Sequence, residues 1–179
     1  MAHKAGFVAI IGKPNVGKST LLNKLLGTQL TVVTPKAQTT RHRIKGILNT
    51  DDYQVVFSDT PGILKPAYNL HKRMMKAVDS SIVDADVAMY VVEVNEKTLS
   101  EEVGMRLKNL KVPLIVVLNK VDLTTQENLE ERVAFWKNEL NPTALIPVSA
   151  MESFNVDAVL NTILELLPEA PPYFNKEDL

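Results

Sequence analysis

The chain has 179 residues, enough for one domain, and is 45% hydrophobic and 23% charged, the balance of a globular protein with a sizeable core. Its net charge of −1 gives no global pull toward nucleic acid or a membrane surface, so only local clusters could act that way. Cysteine is absent, which excludes disulfides, thiolate zinc sites and cysteine nucleophiles, and no apolar run approaches the roughly 18 residues of a membrane span.

The first apolar run, residues 7–11, reads as a buried strand. Residues 20–26 read as a helix burying Leu21, Leu22, Leu25 and Leu26, with Gly27 as its left-handed C′ residue. Between them lies Gly12-Lys13-Pro14-Asn15-Val16-Gly17-Lys18-Ser19, a G-x-x-x-x-G-K-[ST] pattern in a strand–turn–helix context. Gly12 and Gly17 let backbone approach phosphate oxygens, and backbone N–H groups at the helix start face the anion. Lys18 is placed to reach the β and γ phosphates, the Ser19 hydroxyl to ligate Mg²⁺, and Thr20 to complete the cradle. A glycine turn that matches by chance is the bland reading, and the flanking strand and helix argue against it.

Residues 30–45 form a polar loop interrupted by Pro35, from which a threonine could reach the metal. Residues 43–50 and 53–58 read as a strand pair turning at Thr50-Asp51-Asp52, and the second strand delivers Asp59 at its end. Asp59-Thr60-Pro61-Gly62 follows, with an acid suited to Mg²⁺ through water and a glycine N–H suited to a γ-phosphate. The pattern then predicts a loop over 63–69, a helix over 70–83, a strand over 86–94, a helix over 98–111 and a strand over 113–118.

That strand ends in Asn119-Lys120-Val121-Asp122. An aspartate can accept two hydrogen bonds from N1–H and the exocyclic amine of guanine, whereas adenine would leave the carboxylate unpaired. Asn119 can bond the purine edge and tie its loop to the cradle, and the Lys120 stem can pack along the ring. A helix over 125–140 buries Val133, Trp136 and Leu140. A strand over 144–148 ends in Ser149-Ala150, whose backbone N–H groups could meet the guanine oxygen. A last helix covers 155–167. Strands and helices alternate, so the fold class is α/β: a three-layer sandwich of the P-loop NTPase type. Its six-stranded sheet is mainly parallel, with one antiparallel strand and helices on both faces. Every candidate residue lies just beyond a strand's C-terminal end, the usual ligand crevice of such sheets.

The four signatures, residues 12–19, 59–62, 119–122 and 149–150, occur in the order and spacing of translation-factor-type GTPases. Pro14-Asn15 and Lys36-Ala37-Gln38-Thr39-Thr40-Arg41-His42-Arg43 narrow the match: the chain closely resembles the Era family of bacterial GTPases of small-subunit ribosome assembly, over essentially its whole length. The resemblance implies GTP and GDP as ligands and 16S rRNA and the small ribosomal subunit as partners. It also implies a cytoplasmic location with peripheral association at the inner face of the cell membrane. Residues 1–168 would be the GTPase domain, and 169–179 a linker toward a KH-type RNA-binding domain whose Gly-x-x-Gly loop does not follow here.

The resemblance further implies Ser19, Thr40 and Asp59 as metal-site residues, with Thr39 the competitor for Thr40. Thr60, Pro61 and Gly62 would line the γ-phosphate, and Lys18, Thr40, Gly62 and Asn15 would carry catalysis. Ras-type enzymes place a glutamine after Asp-x-x-Gly to orient water; here that position is Ile63, which cannot do so, and intrinsic hydrolysis should be slow. In relatives of this class an asparagine at the position of Asn15 helps bind K⁺. The clusters Arg41, His42, Arg43, Lys45 and His71, Lys72, Arg73, Lys76 read first as solvated faces and second as rRNA contacts. A P-loop kinase or ATPase is disfavoured by Asp122, and a module that binds GTP without turnover is kept open by Ile63.

Overall fold

The computed structural model describes residues 2–27, 30–31, 43–59 and 85–175. In chain order the elements are β1 (Lys4–Ile11), α1 (Lys18–Leu26), β2 (Leu30–Thr31), β3 (Arg43–Asn49) and β4 (Tyr53–Asp59), then β5 (Val87–Glu93), α2 (Glu101–Lys108) and β6 (Leu114–Asn119). A short 3₁₀ turn (Val121–Leu123), α3 (Gln126–Leu140), β7 (Ala144–Pro147) and α4 (Val156–Leu166) complete the chain. Among the described residues they form one sheet in the order β2-β3-β4-β1-β5-β6-β7. β4, β1, β5, β6 and β7 are parallel, and β3 runs antiparallel to β4. The six long strands are those expected, and β2 adds a two-residue ladder to the edge of β3.

The central strands are buried on both faces, as continuous apolar runs demand. One face packs against α1 and α4 through Leu21, Leu22, Leu25, Val159 and Ile163. The other packs against α2 and α3 through Val103, Leu107, Trp136 and Leu140. Trp136 is a core anchor, edge-on to Tyr90 and Phe135, while Val133 is only half-buried. The helix expected over 98–111 is shorter because the Ser100 hydroxyl accepts the Val103 N–H and fixes its start. β1 begins at Lys4, ahead of the apolar run, because Lys4, Ala5 and Gly6 pair with Tyr53, Gln54 and Val55 of β4. Gly27 does end α1 with positive φ, but at φ 53°, ψ −138° it leaves the left-handed helical region expected for it.

The segment after α4, expected as a linker, lies along the domain through residue 175. Ala5 N–H donates to Pro168 O, and Ala170 N–H to His3 O. The Tyr173 ring meets Phe7 edge-on at 5.2 Å, and Phe174 packs against Ile44, Ile47 and Val56. Gln54, wholly buried in β4, reads this strap: its Oε1 accepts N–H from Tyr173 (2.8 Å) and Phe174 (3.1 Å), and its Nε2 donates to Phe174 O (2.9 Å) and Asn49 Oδ1 (3.1 Å). Gln54→Leu removes these bonds and should cost the docked strap about 1–3 kcal/mol, opening it roughly 10- to 100-fold more often. Hydrogen exchange checks this: faster exchange at 173–174 with β6 unchanged is expected, and unchanged protection at 173–174 would show that Gln54 does not hold the strap.

Candidate nucleotide-binding site

The parallel strands all end on one edge of the sheet, so the turns after β1, β6 and β7 converge there. β1 sits at the point where the chain switches direction across the sheet, and the cradle follows it directly. Gly17 has φ 96°, and a Cβ there would collide with the Asn119 amide, so this position needs glycine on both counts. Asn15 also takes a left-handed conformation, at φ 68°. No side chain caps the start of α1 and no acid stands in its first turn, whereas Ser100 caps α2 and Thr125 caps α3 beside acidic first-turn residues. An uncapped, acid-free helix start presents N–H groups and the positive end of the helix dipole to an anion.

Pro14, Asn15, Gly17, Lys18, Ser19 and Thr20, together with Lys120 from beyond β6, line a cavity of about 510 Å³. Lys18 Nζ donates to Gly12 O at 2.8 Å, closing the loop on itself. Val16 is buried beneath the cradle. Lys13, in the cradle, turns its ammonium to Glu96, at 3.4 Å, which leaves its backbone N–H in the loop that faces the anion. Burial pushes the Glu96 carboxyl up, Lys13 pulls it back, and Glu93 adds to the rise. Buried Tyr90 is also pushed up, first by burial and then by the charge of Glu96.

Asn119 is 2% exposed and joins three segments. Its Nδ2 donates to Val16 O at 2.9 Å, and its Oδ1 accepts Ala150 N–H at 3.0 Å. Lys120 takes a left-handed conformation and donates to Asn15 O at 2.9 Å, with Glu93 at 3.4 Å. Asp122 sits on the 3₁₀ turn, its Oδ1 accepting the Ser149 hydroxyl at 2.7 Å. Ser149 therefore acts through its side chain, which spacing alone did not indicate. Ser149 N–H donates to Phe154 O and Ala150 N–H to Asn119 Oδ1, so this loop closes on itself and, through Asn119, on the cradle.

β4 delivers Asp59 one residue beyond the Ala9–Ser58 pair, at the same sheet edge. Thr40, Thr60, Pro61, Gly62 and Ile63, the helix expected over 70–83, and most of both basic clusters lie outside the described residues. Glu93 and Glu96 were not singled out in the sequence; a carboxylate after a strand end is too common a feature to flag.

Comparison with known proteins matches this geometry. Residues 7–120 fit the family described as 50S ribosome-binding GTPase. The chain is 40% identical over 179 residues to GTPase Era of Staphylococcus haemolyticus, covering 99% of this chain and 60% of that protein. It is similar to a crystal structure of Era in complex with MgGDPNP and nucleotides 1506–1542 of 16S ribosomal RNA (TM-score 0.73, 38% identity, 99% of this chain and 61% of that one). It is also similar to Aquifex aeolicus Era bound to GDP·AlF4⁻, in a single-substitution variant (TM-score 0.72, 39% identity, 98% of this chain and 61% of that one). The chain thus spans about 60% of the length of the curated relative it matches. With the cradle, the Asn119-Lys120-Val121-Asp122 turn and these matches together, the chain belongs to the 50S ribosome-binding GTPase family, and its likeness within that family is to Era.

Proposed function

We propose that this chain is the GTP-binding and GTP-hydrolysing switch domain of an Era-type protein that acts on 16S rRNA in small-subunit assembly. The observation that carries the nucleotide reading is Asn119, which ties the base-reading turn to the phosphate cradle by one buried hydrogen bond and to the 149–150 loop by another. Lys18 and the start of α1 hold the phosphates, and Asp122, braced by Ser149, reads the base. Ser19 and Asp59, with Thr40, offer hydroxyl and carboxylate oxygens, a donor set that suits Mg²⁺. When bound, that ion neutralises charge on the β and γ phosphates. The rRNA role rests on the likeness to Era, whose solved complex holds 16S rRNA. A cytoplasmic location with peripheral membrane association belongs to the same reading; no helix among the described residues is long and apolar enough to cross a membrane.

Ile63 cannot orient water, so intrinsic hydrolysis is slow or the water is placed by backbone, a metal ion or another group. Asn15, at the cavity wall, is the residue that would help hold K⁺ there. Hydrolysis of GTP should then be at least about tenfold faster in KCl than in NaCl at matched ionic strength, the effect of roughly 1.4 kcal/mol of transition-state stabilisation. Asn15→Ala should erase the difference. Equal rates in the two salts would remove K⁺ from the mechanism. Ile63 also favours a second reading, a module that holds GTP without turnover; phosphate release in a single-turnover assay separates the two.

A further inference from the structure

The cradle region carries three lysines, and the structure treats them differently. Lys18 closes the cradle on Gly12, Lys120 bridges to Asn15 and Glu93, and Lys13 is drawn to Glu96. Glu96 is 13% exposed at its side chain, against 44% for Lys13. It stands in the turn after β5, which Glu96 N–H closes on Glu93 O at 2.9 Å. β5, which leads into this turn, runs close against the cradle: a Cβ at Gly12 would lie 2.7 Å from Val91 O. Glu96 Oε2 is buried, with Lys13 Nζ 3.4 Å away, so a desolvated carboxylate is held in the turn after β5 at an energetic cost. Its pairing with Lys13 offsets part of that cost.

We infer that Glu96 is a positioning residue that withdraws Lys13 from the phosphate site and thereby sets how strongly the cradle prefers the triphosphate over the diphosphate. A lysine one residue past the first cradle glycine would otherwise add a mobile positive charge beside the phosphates. GTP carries more negative charge than GDP, so a released lysine strengthens GTP binding more than GDP binding. With Lys13 held by Glu96, Lys18 and the backbone N–H groups do the discriminating. This rests on the GTP reading above.

The test compares GTP and GDP affinities of the whole chain as it stands with those of Glu96→Gln. Glutamine is nearly isosteric and removes a desolvated charge, so the fold is not threatened. The preference for GTP over GDP should rise by roughly three- to tenfold, and GTP affinity should fall more steeply with salt. Glu96→Asp, which keeps the charge, should stay close to the starting ratio. In the double variant Glu96→Gln/Lys13→Gln the ratio should return to its starting value, which a merely structural role for Glu96 would not produce. An unmoved ratio in Glu96→Gln, or a shifted ratio that persists in the double variant, overturns the inference. If the unsubstituted chain binds neither nucleotide, the GTP reading itself fails and the inference falls with it. If it binds both while the ratio stays fixed, only the role of Glu96 is lost.

Discussion

Asp122→Asn should abolish high-affinity guanine binding and create xanthine binding in its place. Two hydrogen bonds from the guanine edge to a carboxylate are worth about 1.5–3 kcal/mol each. Losing their charge-assisted form, and turning an acceptor into a donor amide that faces the guanine amine, should weaken GTP by roughly 10²–10⁴-fold. Xanthine carries a carbonyl where guanine carries the amine, so the new amide donor meets an acceptor. The fold should survive, because the Asn Oδ1 can still accept the Ser149 hydroxyl that now bonds Asp122 Oδ1. Titration with GTP and XTP checks it. Wild-type GTP affinity in the variant would take base reading away from Asp122.

The second large effect is expected at Asn119, and it strikes stability as well as binding. The side chain is buried, and its two hydrogen bonds span 103 and 31 residues of sequence. Asn119→Ala leaves Val16 O and Ala150 N–H without their partner. Each buried group left unsatisfied costs about 1–3 kcal/mol, so the loss should total roughly 2–5 kcal/mol. For a chain of this size that lowers Tm by about 10 °C, measured without nucleotide. Added GTP, which on the proposed function should raise the Tm of the unsubstituted chain through binding to the folded state, should restore little of it, because the cradle and the 119–122 turn are no longer registered to each other. A Tm unchanged to within about 2 °C would mean that the two loops hold their places independently.

The differences between the two predictions reflect how the site is built. Asp122 is held by one brace, the Ser149 hydroxyl, and base reading is the role proposed for it, so its loss should be felt mainly in recognition. Asn119 also joins the protein to itself, at the place where three turns meet, so its loss should be felt by all three. The strap latched by Gln54 is a third kind of feature. It lies far from the cradle in sequence and ties the chain after α4 to β4, the strand that ends in Asp59.

Much of this was legible in the sequence because it is local. Alternating apolar runs and helical periods gave the strand and helix order, since burial of a face repeats every two or three to four residues. The cradle was legible because glycine, lysine and serine must stand at fixed offsets for backbone to wrap an anion. Asn119 and Asp122 stood out in the sequence because the base reading proposed for them needs both in one short turn. Boundaries were less so: Lys4 and Gly6 carry no strand pattern, yet β4 pairs with them.

The phosphate motif after residue 11 indicated only that an anion could be cradled, and the tetrapeptide at 119–122 pointed to guanine as the base proposed for it. Those conclusions follow from residue types at short spacing, because short segments impose their own geometry. Tertiary structure alone decided that Lys13 faces Glu96, that Ser149 braces Asp122 across 27 residues, and that Gln54 grips a backbone 119 residues away. Each is a contact between segments brought together only by the path of the sheet. No periodicity in a sequence encodes that path, so the side chains that tune this site became visible only once the strands were in order.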